Sequence, residues 1–132
     1  MSVFTEMIEG TRPAIVVAED GAHIAFMEPN PNARGHVICL PKTEHENLFA
    51  LDEPAYLALM RFARSIAQAI EAVVPCQKVG MASIGLAVAH VHIHLVPLNQ
   101  AKEMNFIDKV TVSAAEQQSL GQMIATEWQE KR

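Results

Sequence analysis

The chain has 132 residues, 50% of them hydrophobic, which suits one domain around one core and leaves no room for a second. Its formal charge is −5 and its ten Lys and Arg residues form no run, which excludes a general nucleic-acid surface, because counterion release needs clustered cations. No apolar stretch approaches the roughly 20 residues of a membrane span, and Met1 to Glu6 show no basic region followed by an apolar one, so a soluble cytoplasmic protein without a membrane partner is expected.

In chain order, Ser2 can cap a short helix through about Glu9, Gly10 is placed to end it, and Pro13 starts an extended segment. Residues 14–18 and 23–27 are β-branched and apolar, and Glu19-Asp20-Gly21 between them reads as a hairpin turn. Residues 28–35, rich in Pro, Asn and Gly, break regular structure before a third strand over 36–40 that Pro41 terminates. From Asp52 the period changes. Tyr56, Met60, Ala63, Ala67, Ile70 and Val74 recur every three or four residues, which predicts a long helix with Pro54 in its first turn and Pro75 as its stop. Cys39 in the third strand and Cys76 after Pro75 make neither a disulfide framework nor a zinc-ribbon spacing and read as free thiols.

Two strand-like segments follow, residues 77–84 and 89–97, separated by Gly85. The chain then loosens, until Ser113 and Glu116 at capping-box spacing open a final helix with Leu120, Met123, Ile124 and Trp128 on one face. The order of elements and the short turns predict an α+β domain: an antiparallel sheet of about five strands, one long helix, and N- and C-terminal helices.

Three of the six histidines fall within five residues, as His90-Val91-His92-Ile93-His94. A strand sends alternate side chains to opposite faces, so the imidazoles share one face while the aliphatic partners bury the other. Surface histidines on an amphipathic strand are the bland use of such a pattern. A metal site is a second use, although at about 3.3 Å per residue His90 and His94 lie roughly 13 Å apart, so a site would need two of the three plus ligands such as His36 or Glu44. The third is imidazole as nucleophile and proton carrier: a neutral ring nitrogen attacks phosphorus while neighbouring histidines hold the phosphoryl oxygens. With no basic patch, an anionic ligand must be held locally by imidazoles, backbone N–H groups and helix N-termini.

The run His90-Val91-His92-Ile93-His94-Leu95-Val96 fills the signature of the histidine-triad (HIT) family, His-φ-His-φ-His-φ-φ with φ apolar, and the chain resembles that family. Phe26-Met27-Glu28-Pro29-Asn30-Pro31 and Gly35-His36-Val37-Ile38-Cys39-Leu40-Pro41-Lys42 resemble its nucleoside-pocket turn and the strand that follows. The resemblance covers about residues 2–98 of a single HIT-like domain spanning 1–132, with a C-terminal loop and helix over 99–132. It implies a nucleotide-binding hydrolase that cleaves phosphoramidate or phosphoanhydride bonds of purine nucleoside monophosphate derivatives. By resemblance His92 is the nucleophile, His94 and His36 contact the phosphoryl oxygens or assist the leaving group, and the main chain of His90 orients the His92 ring. Glu28 matches the position that binds the ribose hydroxyls, and Phe26 and Pro29 line the base pocket. The family implies a homodimer and, for this chain, no cofactor and no metal in catalysis. A nucleotide-binding or regulatory protein with little turnover is the alternative. Arg34 and Lys42 are expected to be solvated charges, and His23 and His45 surface residues.

Two departures stand out. Ser2, Thr5 and Glu44 occupy positions where some members have the Cys-x-x-Cys and histidine of a structural zinc site, so no such zinc is expected. Before the triad, Gly85-Leu86-Ala87 replaces a Gly-Gln pair followed by a small hydroxyl residue. Loss of one preorganised donor costs about a hundredfold in rate unless another group replaces it, and Ser83 or backbone N–H groups near Gly85 are the replacements within reach in sequence.

Overall fold

In the computed structural model, which describes residues 2–132, Ser2 Oγ accepts the Thr5 N–H and opens α1 (Val3–Glu9). Gly10, at φ 84°, closes that helix by donating back to its last carbonyls. The hairpin turn joins β1 (Val16–Glu19) to β2 (His23–Met27), and β3 (Val37–Pro41) returns beside β2. Asp52 caps α2 (Glu53–Val73) by accepting from the Ala55 N–H, and β4 (Lys78–Ala82), β5 (Ile93–Leu98) and α3 (Ala114–Glu130) follow. The sheet order is β1-β2-β3-β5-β4, with every neighbouring pair antiparallel. This is the α+β architecture with five antiparallel strands that the residue pattern predicts.

Alternation along the strands sorts their side chains into two buried layers. Ala25, Met27, Val37, Cys39, Val91, Ile93 and Leu95 face α2 and α3, where Leu59, Phe62, Ile66, Ile70, Ile124 and Trp128 complete the main core. Ile24, Phe26, Ile38 and Leu40 face the other way and bury Phe4 and Met7 of α1. Each large apolar side chain so buried contributes about 1.5–3 kcal/mol, so β2 and β3 are held from both sides. The Cys39 thiol is fully buried and pushed up in pKa by that burial, which leaves it an inert core residue.

The details differ from the sequence expectations in several places, among them Lys42, expected to be a solvated charge, whose Nζ lies 2.6 Å from Glu19 Oε2. The inward stripe of α2 is Leu59, Phe62, Ala63, Ile66, Ala69 and Ile70, while Tyr56, Met60 and Ala67 flank it half-buried. Helical spacing admits both stripes, and the one carrying Phe62, Leu59 and Ile66 buries more hydrocarbon. On α3, Gln117 and Gly121 lie inside and Met123 is 44% exposed, because the helix crosses the sheet at the glycine: a Cβ there would stand 2.7 Å from Ile15 Cγ2. Its first turn has only half a capping box. Ser113 Oγ accepts from the Glu116 N–H, but the Glu116 carboxylate accepts from Arg34 Nε at 2.7 Å instead of reaching back, so Arg34 is ion-paired. Finally, His23 is buried, not a surface residue, stacked on Phe62 and bonded through Nδ1 to Asp20. Among the described residues no helix is long and apolar enough to cross a membrane.

Candidate active site

The regular ladder of β5 begins at Ile93, so His90, at a bend, and His92 lie on the lead-in and only His94 is paired, between Ile38 of β3 and Ala82 of β4. The alternation nevertheless continues through the lead-in: Val91, Ile93 and Leu95 enter the main core. The histidines turn to the α1 side. Phe4 lies edge-on to His92 with centroids 4.7 Å apart and 6.2 Å from His90, and the His92 and His94 rings are 4.9 Å apart.

Hydrogen bonds assign the ring protons. His92 Nδ1 donates to the carbonyl oxygen of His90 at 2.7 Å, because a carbonyl can only accept; in the neutral ring Nε2 therefore carries a lone pair. The Asn32 N–H donates to His36 Nδ1 at 3.0 Å, so neutral His36 bears its proton on Nε2 and donates it to His94 Nδ1, also at 3.0 Å. His94 is left with Nε2–H as a free donor. On the far side, His90 Nε2 donates to the Pro41 carbonyl at 2.8 Å and Nδ1 accepts from Ser2 Oγ at 3.1 Å.

Burial keeps the central rings neutral. It depresses the pKa of His36 to about 3 and of His94 to about 4, with further lowering from each ring's histidine neighbour and from Lys109. The pKa of His92 is lowered too, first by burial, against which the bond to the His90 carbonyl works.

The rings of His92 and His94 line a cavity of about 760 Å³, a volume suited to a small-molecule ligand. Val3, Phe4 and Met7 of α1 form one wall, Glu28 and Pro29 another, residues 84–88 a third, and Phe106 and Lys109 a fourth. The Glu28 backbone is fixed, its N–H donating to the His36 carbonyl and its own carbonyl accepting from Gln117 Nε2, each at 2.9 Å. Burial raises the pKa of its carboxyl, while the Asn30 backbone N–H and the charge of Lys109 oppose that rise.

The residues singled out in sequence divide into three groups. His92, His94, Glu28, Pro29 and Gly85 line the cavity. His36 and His90 stand fully buried behind it and reach it through His94 and His92. Phe26 and Ser83 do not line it: Phe26 is fully buried in the layer beneath α1, and Ser83 is exposed outside. Phe106 and Lys109 escaped the sequence reading, because residues 99–109 show no periodicity; an aromatic and a lysine in a polar run are the only cue.

Ser2, Thr5, Glu44 and His90 do come together, as the positions of a zinc site would. The Ser2 N–H and the Thr5 hydroxyl donate to Glu44 Oε1 at 2.8 and 2.9 Å, and Glu44 Oε1 lies 3.9 Å from His90 Nδ1. These groups do not fit a structural zinc, which takes thiolates and imidazoles. Two hydroxyls replace the thiolates, and Glu44 Oε1 accepts from the cluster's own donors. Among the described residues no three His, Cys, Asp or Glu side chains converge on one ion position. Hydrogen bonds tie α1 to the histidine segment here.

A HIT domain model matches residues 9–101. An uncharacterised HIT-like protein of Methanocaldococcus jannaschii is 31% identical over 107 residues, covering 74% of this chain and 78% of its own length. An adenosine 5′-monophosphoramidase of Schizosaccharomyces pombe is 25% identical over 97 residues, covering 72% of each chain. In three dimensions, a crystal structure described as a hypothetical histidine triad nucleotide-binding protein of Sulfolobus tokodaii superposes with a TM-score of 0.84 at 20% identity, over 96% of this chain and 91% of the other. With the family model spanning most of the chain and the three imidazoles turned to the α1 side at the entry to β5, the protein belongs to the HIT family.

Proposed function

We propose that the protein is a nucleotide-binding hydrolase that cleaves phosphoramidate or phosphoanhydride bonds of purine nucleoside monophosphate derivatives through a nucleotidyl-His92 intermediate. The observation that carries this reading is the bond from His92 Nδ1 to the His90 carbonyl, which leaves a bare Nε2 on a ring that lines the cavity. Nε2 attacks phosphorus, the bond from phosphorus to the leaving nitrogen or oxygen breaks, and the leaving atom departs with the electron pair and takes up a proton. Water then attacks the same phosphorus and releases the monophosphate, and the His92 nitrogen recovers its lone pair. The Nε2–H of His94, held in that tautomer by His36, is a neutral donor for a phosphoryl oxygen. The Glu28 carboxylate, on the cavity wall beside Pro29, is the acceptor for two ribose hydroxyls.

The S. pombe and S. tokodaii relatives support the nucleotide part of this reading. The lining favours a small or uncharged leaving group over a polyphosphate, since Ile84, Leu86, Ala87 and Val88 are hydrocarbon and Arg12 and Lys109 are the cations among the lining residues. The test is hydrolysis of adenosine 5′-phosphoramidate and of a dinucleoside polyphosphate by the parent and by His92→Ala. A fall of about a thousandfold or more is expected for the variant on any substrate the parent cleaves; equal rates sink the assignment.

A nucleotide-binding protein with little turnover is the second reading, favoured by Leu86, which is 91% exposed and brings no polar group to the place where hydrolases of the family have one. Tight monophosphate binding by calorimetry, with no cleavage across a substrate panel, selects it. Both readings include a homodimer formed along β4, a sheet-edge strand on which Met81, and just past which Ile84, are exposed.

A further inference from the structure

The segment after β5 has no strand, yet it is firmly built. Asn105 Oδ1 accepts from the N–H groups of Ile107 and Asp108 at 2.8 and 3.0 Å, its Nδ2 donates to Asp108 Oδ2 at 2.9 Å, and the Val110 N–H donates to the Pro31 carbonyl at 3.0 Å. Phe106 takes φ 59°, in the left-handed region that a bulky residue occupies only under constraint. Its ring packs edge-on against His94, centroids 4.5 Å apart, and lies 6.2 Å from that of His36. One turn on, Lys109 stands over the Phe106 ring with Nζ 5.3 Å from its centroid, and Nζ donates to Asn32 Oδ1 at 2.7 Å.

That arrangement brings to the cavity an ammonium that sits in no ion pair among the described residues. Asn32 is 1% exposed and is a neutral amide, so Lys109 is positioned by it without an ion pair and keeps two further donors. No ion pair of Lys109 occurs among the described residues, whereas Arg12, the other cation lining the cavity, is paired with Glu6 at 3.5 Å. The imidazoles nearby are neutral, and the loop at Leu86 and Ala87 offers hydrocarbon. A doubly charged phosphoryl group entering this cavity therefore meets one cation outside any ion pair, whose charge otherwise reaches the Glu28 carboxyl on the same lining.

We propose that Lys109, delivered by the loop between β5 and α3, is a phosphate-binding residue of this site, its ammonium holding the non-bridging phosphoryl oxygens of a nucleoside monophosphate group that His92 attacks. This rests on the reading of the cavity as a nucleotide site. Lys109 then supplies the charge stabilisation that polar side chains before the triad supply in other members, and the hydrogen-bonded turn at Asn105 with the packing of Phe106 sets its position.

The test is calorimetric titration of the parent, Lys109→Met and Lys109→Arg with adenosine 5′-monophosphate, guanosine 5′-monophosphate and the two free nucleosides. The methionine keeps the length of the stem over Phe106 and removes the charge. A tenfold or greater loss of monophosphate affinity in Lys109→Met, with nucleoside affinity unchanged and most of the monophosphate affinity kept in Lys109→Arg, is expected. Monophosphate affinity equal to the parent's overturns the proposal, as does an equal loss for nucleoside and monophosphate. If Lys109→Met melts well below the parent, Lys109→Gln, which retains a donor for Asn32 without charge, gives the same comparison. A parent that binds neither monophosphates nor nucleosides overturns the nucleotide reading itself, and the role of Lys109 falls with it.

Discussion

At the scale of single residues, the chemistry turns on which nitrogen of each imidazole holds the proton. His92 is fixed by the carbonyl of a residue two positions earlier on the same extended segment, a contact that the His-x-His spacing makes available locally. The tautomer of His94 depends on a relay from the Asn32 backbone through His36, whose parts are 58 or more residues from His94 in sequence. For this reason the place of His92, the proposed nucleophile, against the His90 main chain was legible in the sequence, whereas the direction of the His36–His94 bond was not. Because burial lowers the pKa of His92, its Nε2 stays unprotonated below the ordinary histidine value of 6.5. Nitrogen-15 chemical shifts should therefore show Nδ1 protonated and Nε2 bare at pH 7, with His92 taking up its second proton only below pH 6.5. A titration midpoint above that value contradicts the burial.

At the scale of elements, caps and breakers placed the helices within a residue or two, since Ser2, Asp52 and Ser113 each accept from an N–H three positions on. Less was legible in the faces. Two stripes of α2 satisfy the same period, and the choice between them depends on the shape of the sheet they meet. Gly121 illustrates the conflict of scales. Alanine is favoured over glycine in a helix interior by about 1 kcal/mol, but here its Cβ would press on Ile15 at 2.7 Å and Met27 at 3.2 Å, and overpacking costs about 1–3 kcal/mol. Gly121→Ala is therefore expected to lower stability in chemical denaturation, and a stabilised variant would show that α3 has room to lift. Ser2→Ala removes the α1 cap together with the hydroxyl that serves His90. A loss of about 1 kcal/mol is expected from the cap, with a fall in activity beyond what the stability change explains, because Phe4 and the His90 segment lose a common anchor.

At the scale of the whole molecule, the sheet order follows from insertion of β5 between β3 and β4, which no local signal specifies. The same long-range packing brings residues 105–109 over the histidines, so two residues of the site lay in a stretch that the sequence left featureless. Buried neutral histidines also give the fold a pH dependence. The folded pKa values of His36 and His94, about 3 and about 4, lie below the 6.5 of a free imidazole. As pH falls below 6.5 the unfolded chain therefore binds protons that the folded chain refuses. Each group then removes stability by up to about 1.4 kcal/mol per pH unit until its folded pKa is reached. Denaturant midpoints should fall between pH 7 and pH 5 in the parent, and less steeply in His36→Phe if that variant folds.

The proposed attack by His92 would leave a covalent trace. Parent protein mixed with adenosine 5′-phosphoramidate, quenched with alkali within milliseconds because phosphorus–nitrogen bonds to histidine are acid-labile, and mapped by peptide mass spectrometry should carry one nucleoside monophosphate group on His92. A nucleotidyl group on any other residue, or cleavage with no protein-bound nucleotide at any quench time, contradicts attack by His92 Nε2.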